Sequence, residues 1–267
     1  MSAPIRIDDP DDARVAAYHA IRERDLVGRD GLFVAEGKVV LRVLLAERRF
    51  ETESVLVLES RLAGIQEILQ AAPADVPVYV ASQQVIDQIA GFHIHRGVLA
   101  LGRRRPAEDP ASLLADLRED ATVVVLVGIS NHDNVGSILR NAAAFNADAV
   151  FLDASCCDPL YRKAIRVSVG AVLKVPFAIG PDADRLCDAL ATNGFRLFAL
   201  SPAGTRDITQ VPPGGRCALF LGSEGDGLPD SVMRRMETVR ISMSDTFDSL
   251  NVAAASAIAL HRFWRGN

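Results

Sequence analysis

Several features common in chains of this size are missing. No apolar run is long enough to span a bilayer, and the acidic, proline-bearing start Asp8-Asp9-Pro10-Asp11-Asp12 is not a signal peptide. Cysteine is scarce, with four in 267 residues and no CxxC pair. Adjacent Cys156-Cys157 and isolated Cys187 and Cys217 read as reduced core thiols rather than a metal site or disulfides. The expectation is a cytoplasmic protein with no membrane contact and no metal. An excess of positive charge is missing too. The net charge of −5 excludes wholesale electrostatic binding of nucleic acid, though not local basic contacts. There is no internal repeat, no low-complexity segment and no Gly-x-Gly-x-x-Gly turn followed by a downstream acid. What the chain does have is apolar side chains. At 49% hydrophobic it can bury a sizeable core, and its length favours two domains over one.

Residues 1–12 read as disordered. From there short strands alternate with helices: an amphipathic helix over 13–24, a polar loop over 25–31, strand 32–35, helix 37–48, strand 55–58, helix 62–69, strand 78–81, helix 83–89 and strand 97–101. That pattern describes a small α/β domain over 13–102. Residues 103–110, with two prolines and three arginines, are the candidate linker. A second α/β domain follows over 111–267. It begins with helix 111–117 and with strand 122–128, whose apolar character on both faces suits a parallel sheet covered on two sides. Helix 135–145, strand 149–152, a basic loop or short helix 159–167, strand 172–177, helix 182–192, strand 195–200 and loop 201–215 lead to the stretch that organises the chain.

That stretch is Leu219-Phe220-Leu221-Gly222-Ser223-Glu224-Gly225-Asp226-Gly227-Leu228, with Ile241-Ser242-Met243 and Ser249-Leu250-Asn251 downstream. A buried strand ends in a glycine-rich turn, Pro229-Asp230 opens a short helix, and a second strand (239–243) runs into a polar loop and an Ala-rich helix over 252–264. The glycines could form a turn and nothing more, or they could let a ligand touch backbone. Ser249 could be a plain helix N-cap. Asn251, inside the first turn of an apolar helix, disfavours helix and points to a specific hydrogen-bonding role. Upstream, Arg140 lies beside a stripe of Val135, Ile138, Leu139 and Ala142. It is either snorkelling or salt-bridged, or it is a fork for a phosphate or carboxylate. The basic clusters Arg103-Arg104-Arg105, Arg162-Lys163 with Arg166, and Arg22 with Arg24 are either solvated faces or RNA contacts. In the sharper reading, Arg166 and Ser168 clamp an RNA phosphate, and Arg103, Arg104, Arg162 and Lys163 are further candidate RNA contacts.

The set Asn134-x-Gly136-x3-Arg140-x4-Phe145, then Leu221-Gly222-x-Glu224-Gly225-x-Gly227, then Ile241-x-Met243 with Ser249-Leu250-Asn251-Val252 resembles the three signature motifs of the SpoU/TrmH family, RNA ribose 2′-O-methyltransferases of the SPOUT superfamily. The three blocks occur in the family's order and span residues 122–264. More loosely, residues 16–101 resemble the small ribosomal-protein-like substrate-binding domain of many relatives, through Phe33-Val34-Ala35-Glu36-Gly37 and His95-Arg96-Gly97-Val98-Leu99-Ala100. Three positions depart from the pattern. Asn131-His132 replaces a common Asp-Pro, Phe145-Asn146 an aromatic-Gly, and Ser242 a proline.

The resemblance implies a parallel α/β sheet with a deep C-terminal trefoil knot, S-adenosylmethionine as cofactor, RNA as substrate and a homodimer formed through the knotted domain. It assigns Leu221, Gly222, Gly225, Ile241, Met243, Leu250 and Asn251 to cofactor binding. It assigns Asn134, Arg140, Glu224, Ser249 and Asn251 to catalysis of methyl transfer to a ribose 2′-hydroxyl, with residues shared between subunits. A guanidinium keeps its proton in proteins, so Arg140 suits gripping a phosphate and steadying the developing oxyanion better than acting as a literal base. Ribosomal RNA is favoured over transfer RNA because of the accessory domain. The rivals are an inactive RNA-binding module, a dinucleotide-dependent oxidoreductase and a base methyltransferase.

Overall fold

The structure, a computed structural model, describes residues 3–19, 21, 31–212, 214–244, 246 and 248–264. Arg22, Arg24 and most of the loop expected over 25–31 lie outside them. The chain divides into two compact units, Met1–Pro106 with Leu160–Lys174, and Ala107–Pro159 with Val175–Asn267. The 160–174 stretch thus packs with the first unit although it lies within the sequence of the second.

The first unit is built on a five-stranded mixed sheet of order β1-β4-β3-β5-β2. The strands are β1 (Ile5–Ile7), β2 (Leu32–Glu36), β3 (Glu51–Leu58), β4 (Val78–Ala81) and β5 (Val98–Arg103). β1 lies in the stretch read as disordered. Its Ile5 and Ile7 alternate with a polar residue, and it runs parallel to β4 with Ile7 buried. The helix expected over 13–24 is a 3-10 helix, Ala13–Tyr18, as far as it is described. Helix α1 (Lys38–Glu47) buries Val40, Leu41, Leu44 and Leu45, the spacing of one helix face. Helix α2 (Gln83–Ala90) starts on a Ser82 cap and stops at Gly91 in the left-handed region. The helix expected over 62–69 is broken into short pieces by a 3-10 turn at Ala63–Ile65, which is centred on Gly64. Arg103 belongs to β5 rather than to a linker.

The second unit has a seven-stranded sheet, parallel in every pairing, of order β10-β12-β9-β11-β6-β7-β8. Its strands are β6 (Thr122–Leu126), β7 (Ala149–Leu152), β8 (Phe177–Ile179), β9 (Arg196–Leu200), β10 (Arg206–Asp207), β11 (Cys217–Leu221) and β12 (Glu237–Arg240). Val123, Val124, Val125 and Leu126 are fully buried, so the continuous apolar run of β6 reflects cover on both faces. Each such side chain contributes roughly 1.5–3 kcal/mol of transfer free energy. Helices α3 (Pro110–Ala115), α4 (His132–Ala144), α5 (Ala183–Thr192) and α6 (Val252–Phe263) accompany the sheet. Two strand expectations shift. Val172 and Leu173 are buried in a 3-10 turn that follows left-handed Gly170, and the strand starts only at Phe177, beyond Pro176. The strand expected over 239–243 is Glu237–Arg240, which leaves Ile241 and Met243 in the loop. The small strand β10 lies inside what read as plain loop. Among the described residues no helix is long and apolar enough to cross a membrane.

Candidate functional site

In an all-parallel sheet every carboxyl end points the same way, and ligands collect where neighbouring strands send their chains in different directions. Here β11 lies between β9 and β6, and β12 lies beyond β9, so consecutive chain segments leave the sheet edge apart. The chain leaving β9, the turn leaving β11 and the long loop leaving β12 line one cavity of about 460 Å³. All the residues expected to hold the cofactor, Leu221, Gly222, Gly225, Ile241, Met243, Leu250 and Asn251, line it, as do Glu224 and Ser249. Leu250, an exposed apolar side chain, offers a hydrophobic contact there.

Asn251 joins the three separated segments. It is the N-cap of α6 rather than a residue of its first turn, and its Oδ1 accepts from the amides of Ala253 at 2.9 Å and Ala254 at 3.3 Å. The capping role therefore falls to Asn251, not Ser249. Its Nδ2, left over from capping, donates to Asn134 Oδ1 at 3.1 Å and to Glu224 Oε1 at 2.7 Å. Asn134 is buried in the first turn of α4, so its acceptor is fixed by packing. Glu224 is thereby held against the positive end of α6, where a carboxylate is favoured.

The glycines divide by role. A Cβ on Gly222 would meet the carbonyl carbon of Gly227 at 2.2 Å and the nitrogen of Leu228 at 2.4 Å, because the turn folds back on itself. That fold is closed by Gly227 N–H to the Ser223 carbonyl at 3.1 Å and by left-handed Gly227 at φ 70°. Gly222 is thus required by the loop itself. Nothing lies within 4 Å of a Cβ on Gly225, an exposed residue of the cavity lining, so no packing within the chain requires its missing side chain.

Arg140 is not part of the cavity lining. It is exposed on α4, six residues beyond buried Asn134 and so turned to a different face, roughly 9 Å farther along the axis. Among the described residues it has no ion pair, which sets aside the salt-bridged reading. The residues expected to face RNA fare differently. Arg162 is committed to a largely buried ion pair with Glu36 at 2.6 Å and lies over the Phe92 ring, so it is no open phosphate contact. Ser168 is buried, and its hydroxyl donates to the Ile165 carbonyl at 2.9 Å, which corrects its placement on an RNA strand. Arg103 pairs with Glu53, and the Arg104 amide donates to the Gly31 carbonyl at 2.7 Å. Lys163 is exposed and Arg166 half-buried.

Some residues that shape the site were not singled out in the sequence. Asn141 Nδ2 donates to the Ala253 carbonyl at 2.8 Å and to Ser256 Oγ at 2.9 Å, fixing α4 against α6. Its signal was an amide in mid-helix. Buried Asp153 accepts from the Gly128 amide at 3.1 Å and Ser155 Oγ at 2.7 Å, shaping the chain that leaves β6. No spacing announced it. Cys156, beside Asp153, has its thiol pushed up to about 12 by burial, and Cys157 rises to about 11 for the same reason. The three departures from the family pattern each keep the local physics. Asn131 caps α4 through the Asp133 amide at 2.9 Å. Asn146 takes the left-handed conformation at φ 52° that glycine would otherwise supply. Ser242 donates to Asp207, and together with the Thr209 hydroxyl and amide it lowers the Asp207 pKa to about 2, which ties the exit of β12 to β10.

This geometry agrees with comparisons to known proteins. The profile of the SpoU rRNA Methylase family matches residues 121–261. An uncharacterized tRNA/rRNA methyltransferase of Mycobacterium bovis is 40% identical over 262 residues, covering 95% of this chain and 89% of that one. An AdoMet-bound rRNA methyltransferase from Sinorhizobium meliloti superposes with a TM-score of 0.81 at 22% identity, covering 97% of both chains. An RNA 2′-O ribose methyltransferase superposes at 0.79 with 25% identity, over 97% of this chain and 98% of that one. A family match across more than half the sequence, joined to three motifs that meet at the Asn251 side chain, makes this chain a member of the SpoU rRNA methylase family of RNA methyltransferases.

Proposed function

We propose that this RNA methyltransferase transfers a methyl group from S-adenosylmethionine to a ribose 2′-hydroxyl of ribosomal RNA, working as a homodimer. The observation that carries the reading is the bridge from Asn251 to Asn134 and Glu224, which ties all three motifs together at the edge of a cavity lined by the second and third. A cavity of about 460 Å³ is of the size that takes a nucleoside-sized ligand. The residues fit the cofactor: Leu250, Ile241 and Met243 offer apolar surface to an adenine, and the 222–228 turn offers backbone groups. S-adenosylmethionine, when bound, supplies an electrophilic methyl on a sulfonium. This chain's own residues position the acceptor. Arg140, solvent-facing and without an ion pair, grips an RNA phosphate and steadies the negative charge that develops on the ribose oxygen. Because it does not line its own chain's cavity, it serves the site of a second subunit in this reading. Asn251 holds Glu224 and Asn134 in one orientation, which preorganises the polar wall.

The relative named as an RNA 2′-O ribose methyltransferase supports ribose as the acceptor, and the family's description supports ribosomal RNA. The first unit is the RNA substrate-binding domain in this reading. A trefoil knot at the C-terminal end belongs to this reading through the family membership. Stretching single molecules from both termini would leave a contour shorter than the full chain; full extension would rule the knot out.

Isothermal calorimetry with S-adenosylmethionine and with NAD tests the cofactor. Binding of the first and not the second is expected. Binding of NAD alone would replace the reading with an oxidoreductase.

A further inference from the structure

We propose that a cavity in the first unit, beside Gly37 and Arg96, is a second RNA contact that holds phosphodiester groups. The inference rests on the reading that the substrate is RNA. This cavity has a volume of about 510 Å³, and Lys38, Arg61, His95 and Arg96 line it while no Asp or Glu does. Among the described residues, Lys38, Arg61 and Arg96 have neither an ion pair nor a side-chain hydrogen bond. In a chain of net charge −5, three unneutralised cations around one hollow are a local inversion of the overall charge.

The acids that adjoin the cavity in sequence are neutralised from outside it. Glu36, next to Gly37, is held by Arg162 at 2.6 Å, and Glu59, next to Ser60, is held by Arg6 at 3.0 Å. The cations are therefore left for a ligand. Arg96 is laid close over Gly37, since a Cβ there would be 3.0 Å from Arg96 Cδ and 3.2 Å from a terminal guanidinium nitrogen. Gly37 in turn caps α1 without a side-chain acceptor, which adds unsatisfied amides to the same field. The loop presenting Arg96 is braced rather than loose. Asp87 accepts from the Ile94 amide at 2.8 Å, Gln83 Nε2 at 2.7 Å and His93 Nδ1 at 2.6 Å, and His93 packs edge-on against His95. Val39, half-exposed at the cavity, adds an apolar surface suited to a sugar or base. Cations of this kind read backbone and shape, not sequence.

The test is a titration of a short fluorescein-labelled RNA hairpin against full-length wild type, the K38A/R61A/R96A variant and the Arg96→Lys variant over a range of salt. All three positions are on the surface, so matching thermal melts are expected. The triple variant should bind at least about tenfold more weakly at low salt, with a log–log salt slope shallower by about 2, and Arg96→Lys should retain most affinity. S-adenosylmethionine affinity should be unchanged in every variant. Equal hairpin affinity and salt slope for wild type and triple variant would overturn the inference and leave the methyltransferase reading standing. Binding of inorganic phosphate lost in the triple variant, without any loss of hairpin affinity, would make this a free-anion site and overturn it as well. Wild type that binds hairpin but not S-adenosylmethionine would instead break the proposed function, and the hairpin comparison would still decide the cavity.

Discussion

At the scale of single residues, Asn251 does two separable things: its oxygen caps a helix and its nitrogen bridges Asn134 and Glu224. Substitution can part them. Asn251→Ser keeps a good cap, so stability should stay within ~0.5 kcal/mol of wild type, whereas Asn251→Ala should cost about 1 kcal/mol. Both should lose roughly 100-fold in methyl transfer, because both lose the bridge. Equal activity of Asn251→Ser and wild type, in a tritiated-methyl filter assay, would remove the bridge from the mechanism. Cys156 offers a check on burial. Alkylation needs the thiolate, and the thiol is held up to about 12 against an ordinary 9.0. Peptide mass spectrometry should therefore find Cys156 unlabelled by iodoacetamide at pH 8. A folded-state pKa above the unfolded one contributes stability that is fully present below pH 9 and is lost as pH rises toward 12. Urea midpoints that do not fall over that window would contradict the burial.

At the scale of elements, the turn between β11 and the short helix Asp230–Met233 makes two neighbouring glycines behave in opposite ways. Gly222→Ala should destabilise by roughly 2–3 kcal/mol, since the new methyl meets backbone that cannot move aside. Gly225→Ala meets nothing, so it should leave the melting temperature unchanged and weaken only S-adenosylmethionine binding. Calorimetry with melting curves separates the two, and a Gly225→Ala protein with full affinity would move the ligand off that residue. The same elements show what could be read in advance. The run from Thr122 to Leu126 announced a two-sided parallel strand because Val123, Val124, Val125 and Leu126 are all fully covered. The helices read over 83–89 and 182–192 are present at Gln83–Ala90 and Ala183–Thr192, with Asp182 as the N-cap of the second rather than its first residue. By contrast, Val172-Leu173 has strand composition yet turns, because left-handed Gly170 and Pro176 bracket it. The commitment of Arg162 to Glu36 joins residues far apart in the chain, and only the folded first unit reveals it. The motif residues were legible as a set; that the bridge runs through one amide nitrogen was not.

At the scale of the whole molecule, the proposed homodimer has Arg140, which does not line its own chain's cavity, serving the site of a second subunit. Arg140→Ala and Asn251→Ala subunits, each inactive alone, should recover roughly a quarter of wild-type activity when mixed and refolded together. Half of the dimers are then mixed, and each of those holds one complete site. No recovery would place Arg140 and the cavity of one chain in the same site. The central claim, a methyl passed to an RNA sugar at the cavity where three segments meet, is tested most directly by the product. Ribosomal RNA from cells lacking this protein is incubated with the purified chain and deuterium-methyl S-adenosylmethionine, digested to nucleosides and analysed by mass spectrometry. The expected result is label on the ribose of a 2′-O-methylnucleoside with wild type and none with Arg140→Ala; label on a base, or no label with wild type, would contradict it.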